Sequence, residues 1–275
     1  MKTKFFYTAI LLVLLISSCK ETNKECTNEK AKTSESTKGD YEHLVLATVW
    51  FQQSAEMQAI YIQSYNWAKI MLEKNLAEKS TKKQAAVVMD IDETILDNSP
   101  FEVKCIETGK GYSSETWLNW TATSNAKALP GALDFVKFAD EKGVKVFFIS
   151  NRLTKELKTT MDNMQNLGFP NIDSSFFLLK EETSGKKDRR TTVETEHEII
   201  LFVGDVLTDF SEIYEKRDEK LGKDLVEKDK ELFGTKYIIL PNPMYGEWEK
   251  AVYNNSFKWS EEQKDSLRKR VLISY

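Results

Sequence analysis

The chain has 275 residues, with 39 basic and 43 acidic side chains, a formal net charge of −4, 41% hydrophobic and 30% charged residues. This suits one soluble globular domain with short appendages. Without a basic excess, charge gives no support to binding of a nucleic-acid polymer, so a site for anionic groups would need a metal ion or a placed lysine.

The N-terminus reads as a targeting segment. Lys2 and Lys4 precede an apolar run, Phe5 to Ile16, too short to span a bilayer comfortably. The run ends in Ile16-Ser17-Ser18-Cys19, which resembles a bacterial lipobox. Residues 1–18 are therefore expected to be a signal peptide and Cys19 a lipidation site, anchoring an exported protein to the cell envelope, at the outer membrane. Ordinary secretory cleavage nearby, with Cys19 incidental, is the alternative, and a membrane-spanning anchor is a third. Residues 19–41 are polar and almost free of large apolar groups, so they read as a flexible tether. Cys26 in that stretch and Cys105 in the body allow one disulfide or two separate thiols.

The domain proper is expected over residues 42–275. From His43 to Leu76 apolar residues recur at three- and four-residue steps without Pro or Gly, predicting one long helix or two successive ones. Five apolar strand candidates follow: Ala85–Met89, Val144–Ile149, Phe176–Leu179, Ile199–Val203 and Tyr237–Leu240. Helical patterns lie between them at Ala132–Glu141, Thr154–Leu167, Thr191–His197 and Leu207–Lys216. Apolar strands alternating with helices predict an α/β fold with a doubly wound parallel sheet. The segment 97–129 is too long and aromatic for a simple crossover, so it is expected to form a small, mainly helical cap.

In an open α/β sheet, ligands gather beyond the carboxyl ends of the strands. Asp90-Ile91-Asp92 follows the first strand, Ser150-Asn151-Arg152 the second, Lys180 the third, and Gly204-Asp205 to Asp209 the fourth. Any one of these has a plainer explanation, such as a helix cap or a solvated loop. Four strand ends together place carboxylates, a hydroxyl and a cation at one edge. Clustered carboxylates without His or Cys favour a hard, oxygen-preferring ion such as Mg²⁺. Lys180 and Ser150 would hold a phosphoryl group. An aspartate facing such a group can attack phosphorus, and a second carboxyl group can protonate the leaving oxygen. The two histidines are too few for a His-rich dinuclear site, and neither the Cys-x5-Arg loop nor the P-loop pattern is present.

Asp90-Ile91-Asp92-Glu93-Thr94-Ile95-Leu96-Asp97-Asn98 resembles the first motif of the class C acid phosphatases, bacterial surface lipoproteins of the haloacid-dehalogenase-like superfamily, many of them 5′-nucleotidases. Phe148 to Arg152, Leu178-Leu179-Lys180 and Gly204 to Phe210 resemble the next three motifs, and Leu240 to Glu249 the C-terminal signature. The resemblance implies Asp90 as nucleophile and metal ligand, with Asp92 as acid/base lending its backbone carbonyl to the Mg²⁺. It implies Asp205 as a further ligand, Asp209 as its support through water, and Ser150 and Lys180 as phosphoryl-holding groups, flanked by Asn151 and Arg152. It also implies that Trp117 and Tyr245 sandwich a nucleobase. Stacking contributes on the order of 1–3 kcal/mol per base. Trp117, Trp120 and Tyr112 serving as a cap core is the competing reading. Val206 departs from the family, which commonly carries Asn there. The expected activity is hydrolysis of nucleoside 5′-monophosphates. The alternatives are a broad-specificity acid phosphatase or a non-catalytic surface receptor, for instance for haem; a homodimer is expected by analogy alone.

Overall fold

The computed structural model describes residues 41–275, so the expected signal peptide, Cys19, Cys26 and nearly all of the tether lie outside the described residues. The N-terminal helical run is two helices, α1 (Val45–Gln53) and α2 (Ala55–Ala77). Ser54 divides them: its backbone is extended and its Oγ accepts the Met57 N–H at 3.0 Å, capping α2.

The remaining elements follow in chain order. They are β1 (Gln84–Met89), β2 (Leu96–Asp97), α3 (Ser99–Thr108), α4 (Ser114–Thr121), β3 (Lys127–Ala128), α5 (Ala132–Glu141) and β4 (Lys145–Leu153). Then come α6 (Leu157–Asn166), β5 (Phe177–Lys180), α7 (Lys187–Glu196), β6 (His197–Gly204), α8 (Lys223–Lys228), β7 (Tyr237–Ile239), α9 (Glu247–Val252) and α10 (Glu261–Arg270). Five strands form one parallel sheet in the order β5-β4-β1-β6-β7. β1 is central, and the chain leaves it first towards β4 and later towards β6. The carboxyl end of β1 is therefore the point where the winding direction reverses.

Both faces of the sheet are covered. Ala85, Val87 and Met89 of β1 pack with Tyr61, Tyr65, Ala68 and Leu72 of α2 and with Phe135 and Val136 of α5. Ala86 and Val88, pointing the other way, join Phe147, Ile149, Ile199, Phe202 and Val193 of α7. The near-continuous apolar strands in the sequence arise from this two-sided burial. The segment 97–129 contributes α3, α4 and the antiparallel β2–β3 pair.

The second strand runs on to Leu153, four residues past its expected end, and two helical expectations also change. The helix expected at Thr191–His197 begins earlier, at Lys187, and His197 already opens β6. Leu207–Lys216 is not one helix but two short 3₁₀ turns, Leu207–Asp209 and Glu212–Tyr214. Asp209 Oδ2 turns back to accept the Val206 N–H at 3.1 Å, tightening the first of them.

Candidate active site

Asp90 continues β1, and its N–H donates to the carbonyl of Val203 on β6 at 3.1 Å. Across that junction lie Asp205 and Asp209, which follow β6. The carboxylate oxygens of Asp90, Asp205 and Asp209 fall within 4.8 Å of one another, and all three residues are buried. Gly204 permits this approach, since a Cβ there would stand 2.7 Å from the Asp209 Cβ and Cγ. Asp205 is oriented by two donors, Thr94 Oγ1 at 3.1 Å and Asn242 Nδ2 at 2.9 Å. Burial, then the Asp209 and Asp90 charges, push the Asp205 carboxyl well above the usual carboxylate range. Asp90 is likewise pushed up to about 7 by burial, against the pull of Lys186 and with the push of Asp209 and Asp92. Three buried carboxylates at close range, with no sulfur or imidazole among them, fit a hard divalent ion.

The lysine of the site is Lys186, not Lys180. Lys186 Nζ donates to Asp90 Oδ1 and, at 2.6 Å, to Asp209 Oδ1. Burial alone would lower the proton affinity of this ammonium, but the Asp209 and Asp90 carboxylates outweigh it and raise it. Lys180 ends β5, in register with Leu153, and is absent from the cavity lining. β5 lies two strands from β1, about 10 Å at ordinary strand spacing. Residues 181–185 carry the chain back, and Lys186 arrives at the N-terminal end of α7. Arg189, one turn on, ties this loop to β4 by donating to the carbonyls of Ser184, Gly185 and Ser150 and to Asn151 Oδ1.

Asp92 lines the same cavity but stands outside the close trio. Its Oδ1 accepts from Arg152 Nε at 2.9 Å and Asn98 Nδ2 at 2.8 Å. Its Oδ2 has the Ser150 hydroxyl at 3.3 Å. Arg152 is itself fixed by Thr160 Oγ1 at 3.0 Å and Asn98 Oδ1 at 3.3 Å. Ser150 is fully buried behind Asp92, and its hydroxyl also accepts the Arg152 N–H. α2 braces the same loop from beneath: Tyr61 Oη donates to the carbonyls of Glu93 and Pro241, and Tyr65 Oη to that of Thr94.

A cavity of about 550 Å³ opens over these groups. Asp90, Asp92, Asp205, Asp209, Lys186, Asn151 and Arg152 line it together with Trp117 from the cap and Tyr245 after β7. Trp117 also packs edge-on against Phe101 at 5.1 Å and lies 6.2 Å from Tyr112, so it belongs to a cap cluster and to the cavity wall at once. Val206 lines the cavity as well, next to Gly246. Sequence reasoning missed Lys186, Arg189, Thr94 and Asn242. For Lys186 a signal existed in Gly185-Lys186-Lys187, a glycine-preceded lysine pair opening the next helix.

Residues 5–248 match the family described as HAD superfamily, subfamily IIIB (acid phosphatase). Two solved structures are similar over most of the chain. The class C acid phosphatase from Bacillus anthracis is 40% identical, with a TM-score of 0.82, covering 86% of this chain and 99% of that one. The same protein with tungstate bound gives 40% identity and a TM-score of 0.81, over 86% of this chain and 98% of that one. The phosphatases of this superfamily are metal-dependent, which agrees with the buried aspartate cluster. The chain belongs to the acid phosphatases of HAD subfamily IIIB and is a phosphoric monoester hydrolase.

Proposed function

We propose that the chain hydrolyses nucleoside 5′-monophosphates to nucleoside and phosphate, with Mg²⁺ as its cofactor and Asp90 as its nucleophile. The observation that carries this reading is one cavity holding the Asp90–Asp205–Asp209 cluster and Lys186 together with Trp117 and Tyr245. A cavity of that size accommodates a nucleotide, and two aromatic walls suit a base while tolerating any of them.

Asp90, Asp205 and Asp209 would hold the Mg²⁺, which when bound neutralises their charge and polarises a phosphoryl oxygen. The Asp90 carboxylate attacks phosphorus, the P–O ester bond breaks, and an aspartyl-phosphate forms. Asp92 supplies the proton to the leaving alkoxide and then takes one from the water that cleaves the aspartyl-phosphate. Arg152 and Asn98 bind Asp92 Oδ1, while Oδ2, which accepts only the longer bond from the Ser150 hydroxyl at 3.3 Å, is the oxygen placed for that transfer. Lys186 places a positive charge beside Asp90, where the phosphoryl oxygens must come. The tungstate in the similar Bacillus anthracis structure supports an oxyanion subsite of this kind. Export and a lipid anchor at Cys19, at the outer membrane, would put this activity on the cell envelope. That part rests on the Lys2/Lys4 flank, the apolar run and the lipobox-like residues.

The test is phosphate release from 5′-AMP, 3′-AMP, glucose 6-phosphate and an aryl phosphate, with and without Mg²⁺, with Asp90→Asn as control. Selective, Mg²⁺-dependent hydrolysis of 5′-AMP that Asp90→Asn abolishes is expected. Equal rates on all four esters would leave the mechanism standing and defeat the nucleotide assignment.

A further inference from the structure

One buried carboxyl group in the cavity has no part in the chemistry above. Glu102 on α3 is only 9% exposed, lines the cavity, and makes no hydrogen bond among the described residues. The other cavity carboxylates are engaged. Asp92 is bound by Arg152, Asp205 by Thr94 and Asn242, Glu249 by the Tyr253 hydroxyl at 2.7 Å, and Glu261 by Lys264 at 2.6 Å. A buried polar group without a partner is costly, and such a group facing a cavity is positioned for a ligand's donor.

The surroundings of Glu102 indicate which part of a ligand it meets. The preceding residue, Phe101, packs edge-on against Trp117. Glu249, the neighbouring charge that acts on Glu102, lies in the first turn of α9, which begins two residues after Tyr245. Glu102 therefore sits between the elements that carry the two aromatic walls. The groups that meet Asp90 are instead Lys186, Asp205 and Asp209, none of which contacts Glu102, so Glu102 belongs to the base side of the cavity, not the phosphate side. Burial, then Glu249, push its carboxyl up to about 7. Ionised or protonated, a carboxyl group keeps at least one oxygen able to accept an N–H.

We propose that Glu102 is a specificity-determining residue that accepts a hydrogen bond from the exocyclic amino group of the base, so that amino-bearing nucleotides are hydrolysed in preference to those lacking the group. This rests on the nucleotide reading of the cavity and deepens it. Stacking between Trp117 and Tyr245 cannot tell one base from another, because every base has a π-face. A buried acceptor can, because a substrate without the donor leaves it unpaired.

The experiment measures kcat/KM for 5′-AMP, purine riboside 5′-monophosphate and ribose 5-phosphate with the Mg²⁺-loaded full chain. The first two differ only in the 6-amino group, and the last two only in the base. The wild type is expected to favour 5′-AMP over purine riboside 5′-monophosphate by roughly tenfold or more, the usual effect of a hydrogen bond to a charged group. In Glu102→Leu that ratio should fall close to one, while Glu102→Gln, whose carbonyl still accepts, should keep part of it. Each ratio is taken within one variant, so lost folded protein cancels. A wild-type ratio near one, or an unchanged ratio in Glu102→Leu, overturns the role of Glu102. If purine riboside 5′-monophosphate still outpaces ribose 5-phosphate in that case, the nucleotide reading survives alone. If 5′-AMP and purine riboside 5′-monophosphate are both no better than ribose 5-phosphate, both readings fall.

Discussion

Lys186 and Lys180 separate position in sequence from position in space. Lys186 donates to Asp90 and Asp209, whereas Lys180 lies on the far strand of the sheet. Lys186→Met should lower kcat/KM by about 10²–10³, the usual loss for one preorganised electrostatic contact. Lys180→Met should stay within about threefold of wild type, as surface changes ordinarily do. Steady-state kinetics on the pair decides it, and the reverse order would restore Lys180 as the phosphate ligand. Gly204 is a second residue-scale case. Gly204→Ala would push against the Asp209 carboxylate. The activity should then need roughly 10- to 100-fold more Mg²⁺, as when a ligand loses its support; an unchanged Mg²⁺ titration would contradict the proposed ligand role of Asp209. Glu102 also makes a thermodynamic prediction. Its ordinary pKa is 4.5 and its folded value about 7, so between these pH values the folded state keeps a proton that the unfolded chain has lost. Stability therefore falls as pH rises across that window and is level above it, a penalty on the order of 3 kcal/mol. Glu102→Gln cannot ionise and escapes it. In urea unfolding its advantage should be larger near pH 8 than near pH 4.5, and a constant difference would show that Glu102 titrates normally.

At the scale of elements, α2 is more than cover for the sheet. Its buried stripe, Met57 to Leu72, includes two phenols that reach the Asp90–Thr94 loop, with Tyr61 bonding the Glu93 carbonyl and Tyr65 the Thr94 carbonyl at 2.6 Å. Glu93 has a φ of 53°, a left-handed conformation that an L-residue adopts only when its surroundings impose it. Tyr65→Phe deletes one buried bond and orphans the carbonyl, which should cost about 1–3 kcal/mol in chemical denaturation. Thr94 orients Asp205, so the same variant should lose metal affinity. A stability loss with an unchanged Mg²⁺ requirement would mean that α2 supports the fold and not the site. The division of this run at Ser54 was left open in the sequence as one helix or two, because a serine inside an apolar pattern is compatible with either. The two 3₁₀ turns after β6 carry a helix-like apolar pattern in the sequence. Periodicity cannot show that Asp209 spends its side chain on Val206 N–H and the lysine of a distant loop.

For the whole molecule, the site is a convergence of charges that the fold holds at close range. Three buried carboxylates lie together with one ammonium, which bonds only two of them, so a divalent cation that binds only the folded state should stabilise it. Free Mg²⁺ at 100 times its Kd adds about 2.7 kcal/mol by mass action. Thermal unfolding with Mg²⁺ or with a chelator should show this as a higher midpoint in the metal. Identical midpoints would argue against the cluster as a metal site. The domain expected over residues 42–275 carries cap, sheet and C-terminal signature around this one cavity, with no helix among the described residues long and apolar enough to cross a membrane.

The amino-acid sequence by itself determined the α/β class, the five strands of the parallel sheet in chain order, and the identity of Asp90, Asp92, Asp205 and Asp209 as groups gathered at one sheet edge. Each of those follows from local information: burial on two faces makes strands uniformly apolar, and the residue just after a central strand has nowhere to go but the switch point. Tertiary structure alone decided that Lys186 replaces Lys180, that Ser150 and Arg152 serve Asp92, and that Glu102 is left without a partner in the cavity. Those facts depend on where a loop returns after an edge strand and on which side chains meet across more than fifty residues of chain. No periodicity or spacing encodes such meetings, because they are set by the packing of elements already formed.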